Sequence, residues 1–191
     1  LWHYHFGAGL LETPNDFGFN GGKPTHPELL DWLAAEFQRS NFSLKHMHRL
    51  IVTSAAYQQA STARPDALKT DANNRWLWRM SPRRLDAETI RDAMLVATGT
   101  LSDEVGGKGY SDVNSYFFKG TQFYEPLDPL GAAGQRRTLY RSWARGGRSP
   151  FLDTFDCPDP STTTPKRTVT TTPLQALTLM NHAFVLRMAE A

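Results

Sequence analysis

The chain has 191 residues, enough for one domain with a core of its own. Its 40% apolar residues, with five Trp and eleven Phe, exclude a wholly disordered chain, and a net charge of +2 excludes a global field strong enough to draw it onto nucleic acid or an acidic membrane. The single cysteine, Cys157, excludes an internal disulfide and any Cys-based zinc or haem-attachment pair, and no apolar run approaches the roughly 18 residues of a membrane span.

Leu1 to Phe6 reads as the last turns of a helix, with Gly7 and Gly9 as its stop signals. The first full helix is expected from Pro27, with Leu29, Trp32, Leu33 and Phe37 on one buried face and His26, or Thr25 through a capping box with Glu28, at its cap. A second, antiparallel to it, is expected from the cap residue Ser43, turning Leu44, Met47, His48, Ile51 and Ala55 inward through about Gln59. Arg75 to Met80 then offers two Trp to the core. A third helix is expected from Asp86, with Ile90, Ala93, Met94 and Ala97 inward and Gly99 just past its end as a left-handed stop.

Beyond Gly99 the periodicity is lost to Gly and Pro, and the reading is loop with one or two short strands near Tyr116 to Tyr124. Arg136 to Arg145 is open between strand and helix, with helix favoured because Arg forms helices well and only Thr138 is β-branched. Thr172, Pro173 and Gln175 form a capping box that starts a C-terminal helix running to the end. The expected fold class is mainly α, an irregular helical domain with long Gly/Pro-rich loops and at most a small β element. A single domain is expected, with a helical region over 1–99, a loop-rich region over 100–172 and a C-terminal helix over 173–191. Helix-compatible sequence at both ends, without caps, gives the expectation of an internal fragment cut within two helices.

Several ordered blocks carry a resemblance. Phe6-Gly7, Thr13-Pro14-Asn15-Asp16-Phe17-Gly18 and His26-Pro27-Glu28-Leu29-Leu30-Asp31-Trp32-Leu33 come first, then Ser43-Leu44-Lys45, His48-Arg49-Leu50-Ile51-Val52-Thr53-Ser54 and Tyr57-Gln58-Gln59. Arg83-Arg84-Leu85-Asp86-Ala87-Glu88 with Ile90-Arg91-Asp92 follows, then Tyr140-Arg141, Phe155-Asp156, Pro158-Asp159 and Thr171-Thr172-Pro173-Leu174-Gln175-Ala176-Leu177. Over nearly its whole length the chain resembles the planctomycete secreted domain of unknown function, the C-terminal domain that accompanies planctomycete cytochrome c-like domains. The resemblance implies an exported, multidomain bacterial protein, an extracytoplasmic location and haem in an upstream domain, with no cofactor in this stretch. It brings no established catalytic residues.

The densest ionisable cluster is Arg83, Arg84, Asp86, Glu88, Arg91 and Asp92, spaced to share a helix face. Asp86, Glu88 and Asp92 are the candidate catalytic carboxylates, although acid–base work needs one pKa raised and the arginines oppose that. Arg137, Arg141 and Arg145, with Tyr140 and Trp143, are the candidate binding residues, since interleaved Arg and aromatic side chains suit anionic sugars, phosphate or an acidic partner. The competing reading has the local arginines pair with the loop of Asp153, Asp156 and Asp159. His26 and His48 are the candidate metal ligands; His46 lies two residues from His48, a spacing that on a helix does not close on one ion. His48 falls on the apolar face and reads as a core histidine.

Two functions remain open from sequence. One is an accessory module that organises neighbouring domains of the same chain. The other is a carbohydrate-active enzyme or sugar-binding module, with polysaccharide as partner. Nucleic acid and a membrane segment are not expected.

Overall fold

Backbone contacts divide the computed structural model, which describes residues 1–191, into two units, Leu1–Arg83 and Arg84–Ala191. The mainly α expectation is corrected: 39% of the chain is helical, in eight α-helices, beside a two-stranded antiparallel sheet. The helices are short because hydroxyl side chains, Gly and Pro stop them before the apolar spacing does.

In the first unit, α1 (Trp2–Phe6) ends at Gly7, whose φ of 81° is the left-handed geometry of a C-terminal stop. Helix α2 (Pro27–Arg39) is entered from His26 with Pro27 at its first position. None of its residues is fully buried; Leu29, Leu33 and Phe37 are half-buried, and Trp32, expected inward, is exposed. Helix α3 (Leu44–Val52) is capped by the Ser43 hydroxyl, which accepts from the His46 N–H; it buries Met47 and Ile51 and packs on α1, whose Phe6 is buried as well.

Helix α3 stops short of the expected Gln59. The Ser54 N–H and hydroxyl both donate to the Ile51 carbonyl, at 3.1 and 2.7 Å, so Ser54 occupies the acceptor that Ala55 would need in a continuing helix. A further short helix, α4 (Pro65–Thr70), precedes the tryptophan segment. There Trp78 is half-buried, its indole N–H donating to the Asp71 carbonyl, but Trp76 is 72% exposed rather than in the core.

The second unit is built on α5 (Ala87–Ala97), α6 (Pro150–Thr154), α7 (Pro173–Asn181) and α8 (Ala183–Glu190). Its core gathers Ala87, Leu95, Phe151, Leu152, Phe155, Cys157 and Phe184. The buried stripe of α5 is Ala87, Arg91 and Leu95, four apart; Ile90 and Met94 flank it, and Ala93 and Ala97 face out, contrary to expectation. The single C-terminal helix expected over 173–191 is two helices. His182 takes extended geometry between them, and its Nδ1 accepts the Phe184 N–H at 3.2 Å as the cap of α8.

Strands β1 (Val113–Phe118) and β2 (Thr121–Pro126) form one hairpin, joined by Lys119 and Gly120. Both joining residues have positive φ, 46° and 81°, as the tight turn that matches strand twist requires. The favoured helix over Arg136 to Arg145 is not formed. Two 3-10 turns, Gly131–Gln135 and Thr138–Tyr140, are followed by extended backbone in which Tyr110 bridges to Arg141. Helix propensity is overruled there because Arg136 is held by the carbonyls of Glu104, Gly106 and Lys108, and Arg141 by Asp112 and the Gly147 carbonyl.

In the first unit His5 Nε2 and His48 Nδ1 share one hydrogen bond at 2.8 Å, which needs at least one of the two rings neutral. Burial, and then the charges of His48 and Arg83, lower the His5 pKa below 6.5. The unfolded chain therefore binds the proton first, so this stabilisation is complete above about pH 6.5 and lost as pH falls below it. Thermal unfolding from about pH 7.5 to about pH 5.5 is expected to show a falling midpoint, with a smaller fall in His5→Gln.

Candidate functional site

A loop-rich region must place its backbone carbonyls somewhere, and in the second unit three buried arginines take them. Arg91, on the inner face of α5, donates to the carbonyls of Gly134 at 2.6 Å and Arg136 at 3.0 Å, and to the Thr138 hydroxyl at 3.2 Å. Its guanidinium lies 5.0 Å from the Tyr110 ring centre and 5.3 Å from that of Phe184. Arg136 donates to the carbonyls of Glu104, Gly106 and Lys108 and stacks on Tyr140 at 4.0 Å. Arg141 is paired with Asp112 at 2.7 Å, donates to the Gly147 carbonyl and stacks on Trp143. Gly134 is required where it stands, because a Cβ there would collide with the Pro129 carbonyl oxygen.

Against this frame lies a cavity of about 210 Å³. Arg91, Phe151 and Phe184 form its buried wall, and Asp112, Asp128, Ser149 and His182 bring polar groups to it. Asp128, from the loop after β2, is held on both oxygens by Arg187 of α8, at 2.5 and 2.7 Å. Because His182 Nδ1 is the acceptor that caps α8, the neutral ring carries its proton on Nε2. Burial lowers the His182 pKa, with Asp128 opposing, so the neutral ring is the favoured form.

Ser149, His182 and Asp128 thus share one cavity, but a nucleophilic serine needs an imidazole nitrogen free to accept its proton and a carboxylate on the other nitrogen. Here the accepting nitrogen is committed to the Phe184 N–H and the carboxylate to Arg187. The arrangement suits recognition. Tyr110 also borders the cavity; its fully buried hydroxyl lies near Thr138 without a hydrogen bond of normal geometry, and burial raises its pKa.

The candidate carboxylates do not converge. Asp86 is exposed at the start of α5 and makes no side-chain cap bond. It borders a cleft of about 10 Å³, the space of a single water. Burial acts to raise the Glu88 pKa, but a two-point pair with Arg167, at 2.7 and 2.9 Å, overcomes it and holds the carboxyl below its usual range. Asp92 accepts from the Thr138 N–H and hydroxyl at 2.8 and 2.6 Å, with Arg91 and Arg137 close by.

The candidate Arg/aromatic surface is divided in the same way. Arg141 is interior, Arg137 and Arg145 are exposed, Tyr140 is half-buried with its hydroxyl accepting the Gly106 N–H, and Trp143 is partly exposed. Of the local arginines, Arg148 pairs with the acidic loop, at 2.7 Å to Asp153 and 3.0 Å to Asp159. Asp156 instead accepts from the Thr170 N–H and hydroxyl, fastening the end of the Ser/Thr run to the loop that follows α6.

His26 is half-buried, bonded to the Thr25 hydroxyl, and meets Trp76 edge-on. His48, expected in the core, is exposed and bonded to His5, while His46 pairs with Glu36. No three His, Cys, Asp or Glu side chains gather as a metal-binding set. Sequence reasoning misses Arg91 as a buried group and misses the cavity. An Arg on the same helical face as Ala87 and Leu95 is the one available signal.

Arg91→Met removes the donors of two buried carbonyls and of Thr138, and is expected to cost about 3–5 kcal/mol of stability, which Arg91→Lys does not restore because an ammonium lacks the planar fork. Denaturant unfolding measures it. Burial, and then the Glu88 charge, push the Cys157 thiol up to about 12. Iodoacetamide is therefore expected to leave Cys157 unmodified in the folded chain and to alkylate it fully after denaturation, as read by intact mass.

No helix is long and apolar enough to cross a membrane. No curated protein and no solved structure matches the chain. A model of the family described as "Protein of unknown function (DUF1553)" matches residues 1–191, end to end. The chain belongs to that family.

Proposed function

We propose that this chain is a non-catalytic accessory module that docks and organises neighbouring domains of an exported bacterial multidomain protein. The observation that carries the reading is the outer face of α7, where Leu174, Leu177 and Met180, three apart, are 60%, 55% and 70% exposed. Large side chains at helical spacing are costly to leave in water and mark a surface that another protein surface covers. In the first unit α2 offers a comparable face, with Leu30 and Trp32 exposed and no residue fully buried.

The ionisable groups support the same reading from the other side. The candidate carboxylates Glu88 and Asp92 do not line the cavity and are engaged internally, Glu88 by Arg167 and Asp92 by Thr138, so they hold the fold together. The resemblance to the planctomycete secreted domain supports an extracytoplasmic location, neighbours that include a c-type cytochrome-like domain, and haem held there and not here.

The test is Leu177→Lys with Met180→Lys in the intact protein. Both positions are exposed, so stability is expected to stay within about 1 kcal/mol of the parent. Cross-links between α7 and the rest of the protein, read by mass spectrometry, are expected to be lost, and protease sensitivity between domains to rise. Unchanged cross-links and protease pattern would sink the proposal.

A further inference from the structure

We infer that the cavity of the second unit binds a single neutral polyhydroxylated ring, of the size of one monosaccharide unit. Its volume of about 210 Å³ falls below the roughly 300–1,000 Å³ typical of drug-sized ligands, which leaves room for one small ring and not for an oligomer or a dinucleotide.

The polar groups choose among small ligands. Asp112 and Asp128 present carboxylate oxygens, but each is already neutralised by an arginine, Arg141 at 2.7 Å and Arg187 at 2.5 Å. They remain acceptors without a net negative field. A cationic ligand meets Arg91, Arg141 and Arg187 and gains little, and an anionic one meets Asp112 and Asp128, with Asp92 at 3.5 Å from Arg91 balancing the third guanidinium. A ligand whose hydroxyls both donate and accept meets neither penalty. The donors it needs are present in the Nε2–H of neutral His182 and the hydroxyl of Ser149, which stands at the start of α6 without a side-chain cap bond.

The apolar wall fits the same class. Phe151 and Phe184 meet edge to face at 5.4 Å, and both rings border the cavity. Rings of this kind cover the C–H face of a sugar while carboxylates and hydroxyls meet its rim. The carboxylates are fixed before the ligand arrives, because their arginines are held by stacking, as Arg141 is on Trp143 at 4.3 Å and Arg187 near Phe184 at 5.7 Å. Such preorganisation lowers the cost of binding.

Docking on α7 and occupancy of this cavity are separable, since the first is read from domain cross-links and the second from a small ligand. The experiment is ligand-observed NMR on the complete chain at millimolar ligand. Neutral rings (glucose, galactose, mannose, xylose, fucose and inositol) are compared with glucuronate and sulfate. At least one neutral ring is expected to bind, and the two anions are not. Ser149→Ala removes a hydroxyl that caps nothing, so it is expected to weaken that ring about five- to tenfold with an unchanged melting curve. Ala183→Leu, which fills the cavity from an exposed position, is expected to abolish binding. If Ala183→Leu does not fold, Ser149→Ala decides alone. Absence of binding by every neutral ring, preference for either anion, or affinity unchanged in Ser149→Ala overturns the inference.

Discussion

Arg91 is the group on which the second unit depends. Between Gly99 and Pro150 the chain makes one short hairpin and otherwise little repeating structure, so its carbonyls find no ladder of their own. A guanidinium with five donors in a fixed fork can take several of them at once, and Arg91 reaches across from α5 to hold Gly134, Arg136 and Thr138 together. Arg136 and Arg141 extend the device to Gly106, Lys108 and Gly147. Burying three guanidinium groups costs desolvation. It is offset by carbonyl bonds, aromatic stacking, and the carboxylates of Asp92 beside Arg91 and Asp112 beside Arg141.

That device shapes what the unit can do. The frame that holds the loop also fixes Asp112, and α8 fixes Asp128 through Arg187, so two carboxylates reach one cavity with their charge already neutralised. A site built this way suits recognition of hydroxyl groups, because both carboxylates keep acceptor oxygens while their arginines balance the charge. Apolar side chains left outside the core, on α2 and on α7, are the separate feature on which the proposed docking rests.

Local chemistry is the most legible content of the sequence. The capping box at Thr172 forms as expected, with the Thr172 hydroxyl accepting from Gln175 and the Gln175 side chain accepting in return. Pro27 opens α2, Ser43 caps α3 and Gly99 takes its left-handed stop, each decided by a few adjacent atoms. The misreadings share one cause, which is that a periodic pattern says which residues lie on one side of a helix but not what lies opposite. Helical spacing places Trp32 inward and the segment Arg75 to Met80 offers Trp76 to the core, yet both lie exposed, and the apolar face of α3 places His48 in the core, yet it bonds His5 at the surface. Over Arg136 to Arg145 helix propensity is a preference of some tenths of a kcal/mol per residue, and several charge-assisted hydrogen bonds outweigh it.

The sequence by itself therefore determined the starts of α2, α3, α5 and α7, the left-handed stops at Gly7 and Gly99, the small β element, the lack of any membrane-spanning run and the family blocks that run from Phe6 to Leu177. Only tertiary structure decided which ionisable groups are interior, because burial and pairing depend on partners far along the chain, such as Thr138 for Arg91 and Arg167 for Glu88. It also decided the cavity, whose polar walls come from Arg91, Asp112, Asp128, Ser149 and His182. No spacing rule links those positions. They meet because one buried arginine pins the loop that lies between them.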